Sequence, residues 1–449
     1  MEILTLFACC STVLNRTSIR HLAIIAQAML TLSGRVTLKG LSRWTQDRAS
    51  YRTLQRFYAQ TVPWAAVSVK FFETHLFTVE EEYIIGGDTT TITKAGQETH
   101  GLDRFFSGVL GQVVKGLEFT VFSLISVKQR KSYPLAVGQT VRSEAEKGEL
   151  KEQREKRWKQ KRKKRKSKPR GRPKGVRNKV SKEAAYSREM LRIGGLLKQL
   201  LGLLRCFVKV RHLCLDGHYG HAEAVRPAQE NSLELVSKLR CDAALYEKYS
   251  GIYSGRGRRK KYGEKFNNEK IPTEYLRQSE TEGKIITRYY QDFLLHRKFR
   301  GELNVVVIEK INLTEQKIAR VILFSSDLAL SWEKVIQYYS LRFQIEFNFR
   351  DAKQHFGLED FMNITEKGVA NAANLSFLMV NVSAKLVADR KENCVGINDL
   401  KSQFRGEYYA LETIKIVEPK AEENLIAKVK AVISRIGSIH RYPISSSSA

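Results

Sequence analysis

The chain has 449 residues, of which 42% are hydrophobic, and its 21 Phe and 18 Tyr exclude an intrinsically disordered protein. The length allows two or three domains with at least one sizeable core. The formal net charge of +30 predicts a polyanionic partner, most often nucleic acid. An acidic membrane surface is the rival partner, but no segment approaches the roughly 20 apolar residues of a transmembrane helix.

The first residues, MEILTLFACCSTVLNRT, contain a short apolar run that resembles a signal peptide. Because the run contains Glu2 and lacks a basic start, we interpret it as part of the fold, with a lipoprotein-type Cys9 as the less favoured alternative. The six cysteines form no CxxC pair and no disulfide-like cluster. This usage favours a reducing cytoplasm.

The segment up to residue 78 is predicted to be helical. Apolar residues recur every three to four positions in LNRTSIRHLAIIAQAMLTLSG and SYRTLQRFYAQTVPWAAVSVKFF, with Arg and Lys on the other faces. We interpret 1–78 as an all-helical module that binds DNA. A helical cap on a larger domain explains the pattern equally well.

The pattern changes to strands after residue 80. EYIIGGDTTTI, LEFTVFSLISV and YPLAVGQTV are β-rich runs separated by turn residues. The segment 151–180 then contains 17 Lys and Arg against 2 Glu, which is half of the net charge of the chain. Such a block repels itself, so we expect it to be disordered or only partly helical until it meets an anion.

Within this block, KPRGRPKG resembles an AT-hook, in which arginines lie in the narrow minor groove of A·T-rich DNA. Arg170 and Arg172 would be the inserted side chains. A nonspecific phosphate-binding arm is an equally good interpretation of so short a motif.

The rest of the chain alternates helices and strands. An amphipathic helix over 181–205, the strand in HLCLDGHYG, a second helix and the strand LELVSKL complete a first core part, 79–240. A β-rich insertion over 241–329 follows, then a helical core part over 330–385 and a helical C-terminal region over 386–449 that we expect to dimerise. This order predicts an α/β layered fold.

The insertion contains a second basic loop, SGRGRRKKYGEKF, in which Tyr262 and Phe266 are interleaved with cations. This pattern suits contact with nucleic-acid bases or backbone. Its candidate DNA-binding residues are Arg258, Arg259 and Lys260.

Two acids follow apolar strands. Asp88 lies in YIIGGDTTT and Asp216 ends the strand in HLCLDGHYG. A carboxylate at such a position must be hydrogen-bonded, ion-paired or metal-bound. Turn hydrogen bonding explains either acid taken singly, but two of them together with a helical glutamate indicate a shared site.

That glutamate is Glu346, in the stretch YSLRFQIEFNFRDAKQHFGLEDF, which we predict to be one long helix over 339–361. At about 100° per residue, Tyr339, Arg342, Glu346, Arg350 and Lys353 lie within an 80° stripe about 21 Å long. Cations and a phenol in such a line suit a phosphate backbone, whereas the carboxylate would repel it unless a divalent metal lay between them. A solvated face with i,i+4 ion pairs is the alternative.

The spacing Y-(2)-R-(3)-E-(6)-K, formed by Tyr339, Arg342, Glu346 and Lys353, resembles the signature of a large branch of DDE transposases from bacterial insertion sequences. FRDAKQHFGL and the acids in GGDTTT and LDGHYG resemble the same branch, and the resemblance spans about 80 to 385. It implies an RNase H-like mixed sheet flanked by helices, with a β-rich insertion before the last catalytic helix. The strand order deduced from the residues agrees with this fold.

The resemblance also implies a function. Asp88, Asp216 and Glu346 would hold Mg²⁺ or Mn²⁺, and Tyr339, Arg342 and Lys353 would grip the transposon end, with Arg350 as an added guess. The enzyme would act as a homodimer on double-stranded DNA, cutting its terminal inverted repeats and joining their 3′ ends to target DNA. The alternatives are a catalytically silent, domesticated DNA-binding protein and a nuclease that cuts without joining.

Two further features stay open. His218 and His221 flank Asp216 in DGHYGH, where a zinc site is conceivable but phosphate contact or a structural role is favoured. Relatives that form a DNA hairpin need an aromatic residue to hold a flipped base. Trp332, Tyr253 and Tyr262 are candidates, and the sequence does not select one of them.

Overall fold

The computed structural model describes residues 2–45, 48–163, 187–253, 255, 259–390, 396–418 and 420–433. Its strands are β1 Tyr83–Thr93, β2 Asp103–Ser107, β3 Gln112–Ser126, β4 Lys131–Gln139, β5 His212–Leu215, β6 Glu234–Leu239, β7 Leu245–Lys248, β8 Tyr262–Lys265, β9 Leu276–Glu282, β10 Ile285–His296, β11 Glu302–Asn312 and β12 Lys317–Ser325.

The helices of the same residues are α1 Glu2–Phe7, α2 Arg16–Thr31, α3 Leu38–Ser42, α4 Tyr51–Tyr58, α5 Trp64–His75, α6 Glu144–Lys163, α7 Arg188–Leu204, α8 Ala222–Glu230, α9 Trp332–Leu341, α10 Gln344–Gln354, α11 Glu366–Asp389, α12 Ile397–Val417 and α13 Glu423–Ile433. In this part of the chain no helix is both long and apolar enough to cross a bilayer.

The centre of the fold is a mixed sheet in the order β4-β3-β1-β5-β6. β1 pairs antiparallel with β3 and parallel with β5, and β5 pairs parallel with β6. The first three long strands form a meander, and the two parallel strands are each reached through helices. This arrangement confirms the predicted α/β, RNase H-like fold class.

The strands of the insertion continue the central sheet. β12 pairs antiparallel with β6 over Ile322–Ser325, and β11, β10, β7 and β8 follow in order, with β9 also on β10. In the residues that the structure describes, all twelve strands therefore belong to one sheet. The β-rich region predicted over 241–329 is an extension of the core rather than a layer of its own.

Helices cover the two faces of the sheet. α7 and α8 pack with Ile85, Leu213 and Leu235 on one face. α9 and the start of α10 pack on the other face, where Ile84 and Cys214 meet Tyr338 and Ile345. Successive residues of β1 and β5 point to opposite faces, so each strand contributes to both cores.

The N-terminal helices share a core with the C-terminal ones. The side chains of α1 to α5 pack with α10, α11 and α12 around residues such as Phe57, Phe377 and Leu400. The Trp64 indole donates a hydrogen bond to Asn371 Oδ1 (2.7 Å), and the Asn371 amide donates to the carbonyls of Tyr58 and Gln60. In the structure, the described residues of the N-terminal segment, 2–45 and 48–78, are therefore packed against the fold as a cap would be. Whether they bind DNA stays a prediction.

Two details differ from the sequence predictions. The predicted long helix over 339–361 is wrong, because it is two helices, α9 and α10, and α10 ends at Gln354 ahead of Gly357, whose φ is +73°. The short strand β2 has no counterpart among the predicted strands. The basic block over 151–180 was expected to be disordered or only partly helical. Its residues 151–163 continue α6, in which Glu152 pairs with Lys156 one turn later, and residues 164–180 lie outside the described residues.

Candidate active site

Asp88 is delivered by β1, at the point where that strand pairs with both β3 and β5. Its side chain is 18% exposed, and its Oδ1 accepts a hydrogen bond of 2.7 Å from the Thr89 amide. Ile84 and Asp88 lie four residues apart along the strand, so both face the side of the sheet that α9 and α10 cover. The acid is therefore held at the boundary between a core and solvent.

Asp216 follows directly after β5. Because β5 runs parallel to β1 with Leu215 opposite Gly87, Asp216 emerges beside Asp88 at the same edge of the sheet. Its carbonyl accepts a hydrogen bond from Ser237 on β6 (3.0 Å), and its side chain is 43% exposed. The parallel register thus brings the two predicted acids together.

Glu346 lies in the first turn of α10, after a break in the helical backbone. At the break, the amides of Ile345 and Glu346 bond to the carbonyls of Arg342 and Phe343, three residues back, as in a 3₁₀ turn. The Glu346 side chain is 46% exposed. The stripe predicted on one helix is therefore divided between α9 and α10.

Gly86 allows α10 to come this close to β1. A Cβ at this position would lie 2.7 Å from Ile345 Cδ1 and 2.5 Å from Ile125 Cδ1, both closer than atoms can approach. The absence of a side chain on Gly86 therefore makes room for Ile345, the neighbour of Glu346. Sequence reasoning missed this role, although the glycine pair before Asp88 was a visible signal.

The three acids surround one guanidinium group. Arg342 Nη1 lies 2.5 Å from Asp88 Oδ2, and Nη2 lies 3.4 Å from Asp216 Oδ1 and 3.8 Å from Glu346 Oε1. The Arg342 side chain is only 10% exposed, and its Nε is buried without a hydrogen-bond partner. The structure therefore brings Asp88, Asp216 and Glu346 together around a positive charge.

Burial shifts the pKa values of this cluster. Burial raises the pKa of Asp88 to about 6, an effect that the Arg342 charge and the Thr89 amide partly offset. Burial also raises the pKa of Glu346, with Arg342 again opposing it. The pKa of the Tyr339 phenol is raised by burial and by the nearby Asp216 carboxylate. Perturbed acids in one cluster are typical of a functional site.

The donor set suits a hard divalent cation, because carboxylate oxygens are the ligands that Mg²⁺ and Mn²⁺ prefer. Among the residues described, however, no three His, Cys, Asp or Glu side chains are gathered closely enough to hold a metal ion. The Arg342 guanidinium lies between the three carboxylates. The carboxylates are the kind of ligand that a divalent cation needs, and in this structure they are paired with that guanidinium instead.

The other predicted DNA-binding residues of the stripe lie at different depths. The Lys353 ammonium donates to the Thr91 carbonyl (3.1 Å) and lies 3.4 Å from Glu359. Arg350 is half exposed and pairs with its neighbour Asp351 at 2.9 Å. The Tyr339 ring is 5.7 Å from the Arg342 guanidinium carbon. Lys353 is thus tied to β1, whereas Arg350 faces solvent.

The structure also holds two aromatic rings that sequence reasoning did not single out. Phe343 and Phe347, which precede and follow Glu346 in sequence, are 50% and 39% exposed, and their ring centroids are 5.7 Å apart. The Arg350 guanidinium lies 4.9 Å from the Phe347 ring. Apolar residues beside a charged stripe were the available signal.

The structure describes only some of the candidate DNA-binding residues in the two basic segments. Arg170, Arg172 and Arg258 lie outside the described residues. Arg259 and Lys260 are exposed, 5.0 Å from the Tyr253 ring and 5.4 Å from the Tyr249 ring respectively.

The aromatic candidates for a flipped base are dispersed. Trp332 packs against Tyr289 (5.1 Å between centroids), and Tyr262 packs against Tyr246 (5.4 Å). Neither pair contacts the three acids through any interaction that the structure records, so none of the candidates is selected.

The histidines beside Asp216 have protein partners. His218 Nε2 lies 3.4 Å from Glu189, which also accepts a hydrogen bond from Tyr219 (3.1 Å). Glu189 raises the pKa of His218, and burial lowers the pKa of His221. The described residues gather no zinc ligand set around either histidine.

A basic cleft of about 880 Å³ lies on the far face of the sheet, between α8 and the β10–β11 turn. Its cationic lining residues are Arg226, Arg297, Lys298 and Arg300. α8 packs on the sheet face opposite to Ile345 and Glu346. The cleft is therefore separate from the acid cluster.

Comparison with known proteins gives one family. A family model described as a DDE superfamily endonuclease matches residues 6–289, more than half of the chain. The matched segment includes Asp88 and Asp216 and ends before Glu346. A sequence comparison with curated proteins found no match.

Proposed function

The chain belongs to the DDE superfamily of endonucleases, and on that premise we propose that it is a cut-and-paste transposase of a bacterial insertion sequence. It would bind the terminal inverted repeats of its element, cut the DNA and join the 3′ ends to target DNA. The observation that carries this proposal is the convergence of Asp88, Asp216 and Glu346 on one point between β1, β5 and α10.

In this proposal the three carboxylates are the ligands of divalent cations, Mg²⁺ or Mn²⁺. When bound, two such ions activate the attacking water or 3′-hydroxyl and stabilise the leaving oxygen at phosphorus. Asp88 lies within β1, Asp216 follows the neighbouring strand β5, and Glu346 is on a helix packed against the sheet. This support favours a fixed spacing of ligands, which in-line displacement requires.

The residues around the acids would position DNA. Arg350 is exposed next to the cluster, and Phe343 and Phe347 present apolar rings beside Glu346. Cations and aromatic rings together are typical of surfaces that hold a nucleic-acid backbone and its bases. Tyr339, Arg342 and Lys353, which complete the family-like signature, lie at or beneath this surface.

The branch of the superfamily, the nucleoid-associated cytoplasmic location and the homodimer are parts of the same proposal. The signature spacing over 339–353 and the net charge of the chain support them. The insertion strands that continue the sheet are consistent with the branch, because its members often carry a β-rich insertion before the last catalytic helix.

The test is Glu346→Gln in an assay with duplex DNA that carries the ends of the element and Mg²⁺. We expect this variant to lose cleavage by at least about a hundredfold, because it removes a ligand charge, while end binding measured by mobility shift is retained. Glu333→Gln, an exposed acid on the neighbouring helix α9, is the matched control and should cut normally.

The wild-type products separate the functional classes. Strand transfer into a target plasmid supports the transposase, and cleavage without joining indicates a nuclease. Binding with neither reaction indicates the catalytically silent DNA-binding protein. Cleavage retained by Glu346→Gln would show that Glu346 is not a metal ligand.

A further inference from the structure

Arg342 makes contacts that a phosphate-gripping arginine does not need. Its guanidinium is almost fully buried and pairs with all three acids of the proposed site. It also lies at the break between α9 and α10, where its own carbonyl accepts from the Ile345 amide. Its position therefore couples the helix break to the acid cluster.

We propose that Arg342 is the internal counter-cation of the acid cluster in the free protein, that it competes with divalent metal for the three carboxylates, and that bound DNA draws it away. The inference rests on the proposed function, since it takes the three acids as metal ligands. It assigns to Arg342 a positioning role before catalysis in addition to contact with DNA.

Electrostatics favours a cation at this point. Three carboxylates that share a site repel one another, and burial of Asp88 adds the cost of removing its charge from water. One guanidinium reduces both costs without a metal. It can bind several oxygens at once, because its five N–H donors lie in a fixed plane.

The contacts also show that Arg342 is held unevenly. Only the Asp88 contact is a short ion pair, while the contacts to Asp216 and Glu346 are 3.4 and 3.8 Å long. Nε has no hydrogen-bond partner although it is buried. Such an arrangement leaves hydrogen-bonding capacity unused, so a ligand that satisfies the whole guanidinium can compete with it.

A DNA phosphate is such a ligand, because its oxygens accept two parallel hydrogen bonds from a guanidinium. When Arg342 turns to a phosphate, the carboxylates lose their cation and can take up metal. DNA and metal should therefore bind with positive coupling, and the coupling must be reciprocal. The site would then be loaded most fully when the substrate is in place.

The experiment measures Mn²⁺ binding to the DNA-free protein by titration calorimetry, so activity is not the readout. Arg342→Gln keeps hydrogen-bond donors but removes the positive charge. We expect this variant to bind Mn²⁺ about tenfold more tightly than wild type, because it lacks the cation that lies about 4 Å from the ligands. Arg342→Lys keeps a charge and should stay near the wild-type affinity. Lys284→Gln, an exposed cation in the turn between β9 and β10, is the control that should leave Mn²⁺ binding unchanged.

A second titration includes duplex DNA with the element ends. We expect DNA to tighten Mn²⁺ binding by wild type severalfold and to have much less effect on Arg342→Gln, whose carboxylates are already free. Circular dichroism checks that each variant is folded. If Arg342→Gln fails to fold, Arg342→Met, which fills the same space without a charge, replaces it with the same expectation.

Unchanged or weaker Mn²⁺ binding by the folded neutral variants would overturn the inference. That result is distinct from failure of the proposed function. If wild type and the variants all bind no Mn²⁺ in either titration, the three acids are not metal ligands and both proposals fall. If wild type binds Mn²⁺ and Glu346→Gln does not, the metal assignment stands whatever the result for Arg342.

Discussion

Asp88 is the acid of the cluster whose protonation should be visible near neutral pH. Burial raises its pKa to about 6, whereas the pKa of an aspartate in an unfolded chain is about 4. Between these values the folded protein binds a proton that the unfolded chain does not, so this group stabilises the fold as the pH falls. Above about pH 6 the stabilisation is absent.

We therefore expect wild type to gain about 1 kcal/mol of unfolding free energy relative to Asp88→Asn between pH 7 and pH 5. The measurement is denaturant unfolding of both proteins in a chelating buffer, because bound metal would hold the carboxylate ionised. Glu333→Gln serves as the exposed-acid control. A wild-type advantage that does not change with pH would mean that Asp88 titrates normally.

For these individual residues, the sequence singled out the three acids but did not predict the contacts that they make in the folded protein. Asp88 and Asp216 could be found because a carboxylate after an apolar strand needs a partner, and Glu346 because it interrupts a line of cations. The contact of all three with Arg342 could not be found. It depends on a three-dimensional approach of β1, β5 and α10 that a helical wheel of residues 339–353 does not contain.

Among the elements, the packing of α10 on β1 fixes the position of Glu346. Gly86 is the contact point, since a Cβ there would collide with Ile345 Cδ1. We expect Gly86→Ala to stay folded, to lose about 1–3 kcal/mol through overpacking, and to cut DNA at least about tenfold more slowly because Glu346 is displaced.

The double variant Gly86→Ala with Ile345→Val tests this geometry, because valine lacks the Cδ1 atom that the new methyl group meets. We expect it to recover most of the cleavage rate measured for Ile345→Val alone. Failure to recover would show that Gly86 acts through Ile125 or through the strand itself rather than through α10.

Helices and strands could be predicted where the local sequence pattern determines them. The long strands β1, β3 and β4 and the parallel strand β5 follow from apolar runs, and the end of α10 has a signal in Gly357. The break between α9 and α10 has none, because Arg342 and Phe343 are ordinary helix residues and neither proline nor glycine is present. β2 was missed because DRFFS is short and begins with two charged residues, so its pairing with β3 decides its structure.

For the whole molecule, the distribution of positive charge predicts a second place where DNA can bind. The turn HRKFRG presents Arg297, Lys298 and Arg300 to the basic cleft on the sheet face opposite to Glu346. A DNA segment held there cannot be the one that is being cut at the acids. The cleft would instead contribute to affinity by releasing counterions from the backbone.

We expect the triple variant Arg297→Gln, Lys298→Gln and Arg300→Gln to reduce the salt dependence of DNA binding. The negative slope of log K against log salt should become smaller in magnitude by about 3. The turn of β3 and β4, VKQRKS, offers a matched control in Lys128, Arg130 and Lys131, which are also three exposed cations in a tight hairpin connection. Equal slopes for the two triple variants would mean that the cleft has no special part in binding.

The pairing of β12 with β6 gives the insertion a protective role. Without β12, the backbone amides and carbonyls of β6 that face it would form an open edge, which is a template for intermolecular β-pairing. A descendant of this protein that lost 241–325 would keep every acid of the cluster, but it would expose an unpaired, aggregation-prone strand edge beside Asp216. Evolution can therefore enlarge, shorten or exchange the outer strands freely, but it must leave some strand bonded to β6.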